Sequence, residues 1–269
     1  MAASVFKDKV VVITGASSGI GRELAYQLAA QGAWLALAAR NTERLAGVRT
    51  ECQGRGGKAV AISTDVSESA QCAALIQRTV EHYSRLDVLV NNAGRTMYAD
   101  FGEIRDLSIF EQLMRVNYLG SVYCTYHALP YLKQTQGRIV GVASLAGKTG
   151  VPTRTGYAAS KHAMAGFFDS LRIEVAPYKV SVTMIYPGFV ATAIREQAFG
   201  KDGQPVGHSM VRERDVMTVE TCAQLILRAT EQRKREVLMT WRGRLGVWLK
   251  LITPGLVDYV ARQAINVRR

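Results

Sequence analysis

Residues 14–21 read Thr14-Gly15-Ala16-Ser17-Ser18-Gly19-Ile20-Gly21, a run able to hold a pyrophosphate. Gly15 allows a sharp turn off a strand, and Gly19 removes the Cβ that would keep a phosphate from the backbone. Gly21 lets a following helix pack closely, with its N-terminal N–H groups and dipole facing the anion. The spacing is not the usual Gly-x-Gly-x-x-Gly, so the flanks carry the argument. An apolar run, Lys9–Thr14, comes before it and a helix-like stretch, Arg22–Ala30, follows. A plain glycine-rich turn is the competing reading. The second apolar run ends Ala38-Ala39-Arg40-Asn41, where NAD-binding folds present an acid to the adenosine ribose. Arg40 instead suits a 2′-phosphate, because its planar fork pairs with phosphate oxygens and stacks on adenine. The expected cofactor is NADP(H); a solvent-facing arginine is the alternative.

These residues need a scaffold, and the chain supplies one. Its 269 residues, 48% hydrophobic and 21% charged, exclude disordered and collagen-like classes and are enough for a large core. Short Val/Ile/Leu/Ala-rich runs at 9–14, 34–39, 59–64, 86–91, 138–144, 180–186 and 236–240 read as strands buried on both faces. Helix-length segments lie between them at 19–31, 42–53, 67–84, 106–135, 155–178 and 218–232, with Ser67 opening the third. Alternation of this kind predicts crossover units and a parallel sheet covered on both sides. The expected organisation is an α/β domain over 1–241 and a basic amphipathic helical extension over 242–269.

On this frame the chain resembles the classical short-chain dehydrogenase/reductase family, from residue 7 to about 240. The marks are Thr14–Gly21, Asp65-Val66, Asn91-Asn92-Ala93-Gly94, Asn117, Ser144, Tyr157-x-x-x-Lys161, and Pro187-Gly188 followed by Thr192. The resemblance implies a single Rossmann-type doubly wound domain of about seven parallel strands. It implies four catalytic residues: Asn117, Ser144, Tyr157 and Lys161. Tyr157 and Lys161, four apart, share one helix face, and the ammonium would lower a phenol pKa of about 10. Tyr157 would then act as general acid in reduction and general base in oxidation. Lys161 would also bond the nicotinamide ribose, Ser144 would polarise the substrate carbonyl, and Asn117 would support a proton-relay water. For the cofactor, the resemblance implies Gly15, Ser17, Ser18, Gly19, Ile20 and Gly21 at the phosphates, and Asp65 and Val66 at adenine. It adds Asn92, Ala93 and Gly94 along its flank, and Pro187, Gly188, Val190 and Thr192 at the carboxamide.

The stretch Phe189–Val216, with Phe189, Val190, Ile194, Phe199, Met210 and Val211 around a flexible Gly200–Gly207 middle, reads as a mobile apolar lid over the substrate. A small-molecule carbonyl or alcohol with a lipid- or steroid-like body is expected, as in hydroxysteroid-dehydrogenase-like members. Helices 106–135 and 155–178 usually pair across a two-fold axis in this family, which implies a homodimer or homotetramer. His82, His127, His162 and His208 lack metal-ligand spacing, so no metal is expected. Four scattered cysteines without a CxxC pair, and no leader-like or 18-residue apolar run, suit a cytoplasmic protein. The net charge of +12 is concentrated late: residues 228–269 hold ten Lys/Arg against three acids. No specific nucleic-acid motif accompanies them. In the tail, Trp241, Leu245, Trp248 and Ile252 fall on one face flanked by Arg242, Arg244 and Lys250. A second stripe (Leu256, Val257, Val260, Ala261, Ala264, Ile265) follows Pro254-Gly255 and ends in Arg268-Arg269. Those helices suit either the subunit's own core, a dimer neighbour or peripheral docking on a membrane. The competing functions are a non-catalytic cofactor sensor or nucleic-acid/membrane-binding module, and epimerisation or dehydration on the same fold.

Overall fold

The computed structural model describes residues 4–207 and 216–266. His208, Met210, Val211, Arg268 and Arg269 lie outside the described residues, as do the side chains of Ala264 and Ile265. Seven parallel strands form one sheet among the described residues: β1 (Val10–Thr14), β2 (Trp34–Ala39), β3 (Lys58–Ser63), β4 (Val88–Asn91), β5 (Arg138–Val142), β6 (Ser181–Tyr186) and β7 (Glu236–Leu238). Their order is β3-β2-β1-β4-β5-β6-β7. The order reverses between β1 and β4, which opens a crevice at the carboxyl ends of the strands.

Helices α1 (Gly19–Ala29), α2 (Thr42–Gly54) and α7 (Val219–Glu231) cover one face, where Leu24, Leu45 and Ile226 meet Val11 and Ile13. On the other face α3 (Ser69–Tyr83), α5 (Gly120–Thr135) and α6 (Thr155–Val175) bring Leu75, Cys124 and Phe168 onto Val10 and Val12. Successive residues of one strand therefore enter opposite cores, and both must be apolar. That is why the runs read as continuous rather than alternating.

Three local expectations are corrected. Ser67 does not cap α3: its hydroxyl donates to the Asp65 carboxylate at 2.8 Å, and Glu68 occupies the cap position. The segment 106–135 is not one helix. It divides into α4 (Ser108–Met114), a π-helical turn over Arg115–Leu119, and α5. Such turns add a residue and redirect side chains, and this one carries Asn117 inward. The Gly200–Gly207 middle of the apolar lid is a tied turn. Gly200 N–H donates to Gln204 O at 2.7 Å, and Phe199, buried beside Met97 and Tyr157, pairs its backbone with Thr96 and Tyr98.

The tail forms α8 (Trp241–Ile252) and α9 (Pro254–Asn266). Thr240 caps α8 by accepting from Gly243 N–H at 3.0 Å. Gly243 lies so close to Leu145 that a Cβ would stand 2.6 Å from it. The Trp241, Leu245, Trp248 and Ile252 face does not cover the subunit's own core: Trp248 is 69% exposed and Ile252 77%.

Candidate active site

A cleft of about 400 Å³ runs along the carboxyl ends of β1, β2, β4 and β5. At its phosphate end Gly15 and Gly19 have φ of +66° and +53°, left-handed values that favour glycine. A Cβ on Gly21 would strike the Gly15 carbonyl, and one on Gly19 would press on Thr192 at 3.0 Å. Thr14 organises the opposite wall. Its hydroxyl donates to Val90 O at 3.2 Å and accepts the N–H groups of Asn92 and Ala93 at 2.9 and 3.0 Å. Asn92 Nδ2 donates in turn to Thr14 O at 2.9 Å. Asn91 donates to Thr125 at 3.0 Å. The strand ends are thereby tied together. Ser17, Ser18 and Ile20 line the cleft, and the Ser18 side chain makes no cap bond among the described residues.

Farther along, Arg40 stands 3.6 Å from Asp65, with Val66 and Arg44 also in the wall. Burial pushes the Asp65 carboxyl up, but hydrogen bonds from Ser67 and the Arg40 guanidinium hold it below the usual range on balance.

The other end gathers four polar groups from three elements. Ser144 follows β5, Tyr157 and Lys161 lie on the inner face of α6, and Asn117 comes from the π-helical turn. A Cβ on Gly94 would lie 3.1 Å from Asn117 Oδ1 and 3.6 Å from Lys161 Nζ, so the two groups converge there. Tyr157 is buried. Burial raises its phenol above the ordinary value, while a hydrogen bond with Ser144 and the Arg154 guanidinium act the other way. Lys161, 3% exposed, donates from Nζ to Val142 O at 2.9 Å, and burial pushes its ammonium down to about 8. Pro187, Gly188, Val190 and Thr192 close the wall opposite.

A glycine-turned phosphate cradle joined to a Ser/Tyr/Lys/Asn cluster is a dehydrogenase arrangement, and the sequence comparison agrees. The profile of the family described as short chain dehydrogenase matches residues 9–202. This chain belongs to the short-chain dehydrogenase/reductase family. It is 39% identical over 259 residues to 11-beta-hydroxysteroid dehydrogenase-like 4A of Arabidopsis thaliana, covering 93% of this chain and 82% of that protein. Among solved structures, a short chain dehydrogenase/reductase from Burkholderia phymatum in complex with NAD superposes with a TM-score of 0.82 at 26% identity, covering 95% of this chain and 96% of that one. An alcohol dehydrogenase from Thermococcus sibiricus complexed with 5-hydroxy-NADP gives 0.75 at 26%, covering 87% and 96%. Such an oxidoreductase works with a nicotinamide dinucleotide and a small-molecule substrate.

Two features of this dehydrogenase add to the sequence reading. Lys161 is turned to a backbone carbonyl, and Arg154 is the cation that opposes the burial-driven rise of the Tyr157 phenol. The Asn117 side chain also holds the loop after β4. Its Oδ1 accepts from Arg95 N–H at 2.8 Å, and its Nδ2 donates to Arg95 O at 2.9 Å and Ser160 Oγ at 2.8 Å. Ser160 then donates to Tyr157 O at 2.8 Å. Asn117 thus ties the β4 loop to α6.

Sequence reasoning also missed Arg44, Arg95, Thr96, Tyr98 and Arg154, all in the cleft wall. Arg44 had a legible signal, a second arginine in the first turn of the helix that follows Arg40. The others come from loops brought together by long-range pairing, such as Ala99 N–H to Thr153 O at 3.0 Å. His162 bonds its own helix at Ala158 O, away from the site.

Proposed function

We propose that this chain is an NADP(H)-dependent oxidoreductase acting on a carbonyl or secondary alcohol within a substrate of apolar body. The observation that carries this is the convergence of Ser144, Tyr157, Lys161 and Asn117 at one end of a cleft whose other end is a glycine cradle with Arg40. The left-handed glycines, the Thr192 cover and the basic adenosine end fit the dinucleotide. When bound, it supplies or accepts the hydride. Tyr157 gives its phenolic proton to the substrate oxygen in reduction and recovers it in oxidation. Ser144 donates a hydrogen bond to that oxygen as charge develops on it. Lys161 holds the ribose, and Asn117 fixes the loop beside it. Gly15, Ser17, Ser18, Gly19, Ile20 and Gly21 take the phosphates, and Asp65 and Val66 the adenine. Asn92, Ala93 and Gly94 border the cofactor, while Pro187, Gly188, Val190 and Thr192 orient its carboxamide. Phe189, Ile194 and Val116 offer apolar wall to the substrate.

The choice of NADP(H) over NAD(H) rests on Arg40 and Arg44. Arg40 is mostly exposed and shares Asp65, so its charge-assisted bond belongs at the low end, about 1.5 kcal/mol. Arg40→Ala is expected to weaken NADPH about tenfold and NADH less than twofold, measured by fluorescence titration. Equal losses would remove Arg40 from a phosphate site.

The exposed Tyr126 of α5 and Ile173 of α6 support a homodimer through those helices. The exposed Trp/Leu face of α8, with Arg242 and Arg244 on its flanks, supports peripheral docking on an anionic membrane. No helix among the described residues is long and apolar enough to cross one. Full-length protein should float with anionic vesicles at low salt and lose them at high salt, while scattering light as a dimer without lipid. Failure to float discards the docking, and a 29.5 kDa particle discards the dimer.

A further inference from the structure

Arg154 is the residue just before α6, three positions ahead of Tyr157, and its side chain enters the cleft while only 9% exposed. Its guanidinium carbon stands 4.3 Å from the ring centre of Tyr98, 5.3 Å from that of Phe189 and 5.9 Å from that of Tyr157. A guanidinium has five N–H donors. Among the described residues the side chain has one hydrogen-bond partner, the Tyr98 hydroxyl, and pairs with no carboxylate. Buried charges are normally paired, and three aromatic faces replace only part of the lost hydration.

The surroundings make the imbalance larger. Among the described residues the cleft is lined by Arg40, Arg44, Arg95, Arg154 and Lys161, and its one carboxylate, Asp65, already faces Arg40 at the far end. The buried Thr96 hydroxyl in the same wall has no hydrogen-bond partner among the described residues. The substrate end thus offers a preoriented planar fork inside an aromatic frame, with a spare hydroxyl elsewhere in the same wall. A flat, bidentate anion fits that donor set, and a purely hydrocarbon substrate would leave it unpaired.

We propose that Arg154 determines substrate specificity by binding a carboxylate carried on the substrate, so that the preferred substrates are oxo acids and hydroxy acids with an apolar body. This rests on the carbonyl-oxidoreductase reading above and narrows its substrate class. An ester of the same skeleton loses the ionic bond but keeps the apolar contacts and the reacting carbonyl. The ratio of the two is therefore the informative quantity.

The test uses the full chain, an aromatic oxo acid and its methyl ester, with NADPH oxidation followed optically. The parent should prefer the acid. Arg154→Gln should lower the acid-to-ester ratio of kcat/KM by about 30-fold, the range for a lost bond to a charged group. Arg154→Lys should fall between, because it keeps the charge and loses the fork. A ratio unchanged by Arg154→Gln overturns the proposal, as does a parent that favours the ester; the parent result stands even if the variants fail to fold by circular dichroism. If neither compound is reduced with NADPH or NADH, the oxidoreductase reading fails separately. Calorimetry with the non-reducible saturated acid then decides this proposal. Binding to the parent that Arg154→Gln abolishes supports it, and no binding to the parent overturns it.

Discussion

Replacing Tyr157 by Phe is expected to lower carbonyl reduction by about 10²–10⁴-fold, the usual worth of a placed acid–base group. The ring is buried among Met97, Leu113, Ala146 and Phe199, and Phe keeps that packing while deleting one hydroxyl. Binding of NADPH and the unfolding midpoint should therefore stay near those of the parent. The loss should appear in kcat, since the proton moves only in the reacting complex. Burial keeps the phenol protonated through neutral pH, so reduction by the parent should be level between about pH 6 and 8. Parental turnover by the Phe variant would remove Tyr157 from the chemistry.

Lys161→Met is expected to trade activity for stability. The ammonium is driven from its ordinary 10.5 to about 8 by burial, so the unfolded chain binds more protons than the folded one between those values. Parent stability consequently rises as pH climbs through that window, and the penalty is fully present below pH 8. At pH 7 the charged form costs about 3 kcal/mol. Losing the bond to Val142 O returns about 1 kcal/mol. The Met variant should thus be about 2 kcal/mol more stable by urea unfolding at pH 7. Its advantage should vanish near pH 10, and reduction should be severely impaired at either pH. A stability gap unchanged from pH 7 to pH 10 would show that Lys161 carries no such burden, as would a variant less stable than the parent throughout. A catalytic group held at a cost to the fold is the expected pattern for an active site.

Much of this molecule was legible before its structure. The apolar runs gave all seven strands to within two residues or so, because a strand covered on both faces has no room for polar side chains. Trp34–Ala39 matches to the residue. The glycine loop was equally readable, since its backbone demands a residue without Cβ, and no other residue type substitutes. Cap chemistry misled at Ser67, whose hydroxyl serves Asp65 rather than the α3 terminus. The segment 106–135 read as one helix because the π-helical turn is entered and left at ordinary helical backbone angles, at Met114 and Gly120.

Sequence alone determined the element order, the dinucleotide cradle and the Tyr157/Lys161 spacing, all of which depend on local backbone geometry and periodic burial. Tertiary structure decided which charges act on which. Lys161 meets a strand carbonyl, Asn117 joins a loop to α6, and Arg154 approaches the Tyr157 ring. It also left the α8 face outside the subunit's core, which the pattern of its residues could not do. Electrostatic effects depend on distance and on exclusion of water. Arg154 comes within a few ångströms of the rings of Tyr98 and Phe189 only after the sheet has formed and their loops have met at its edge.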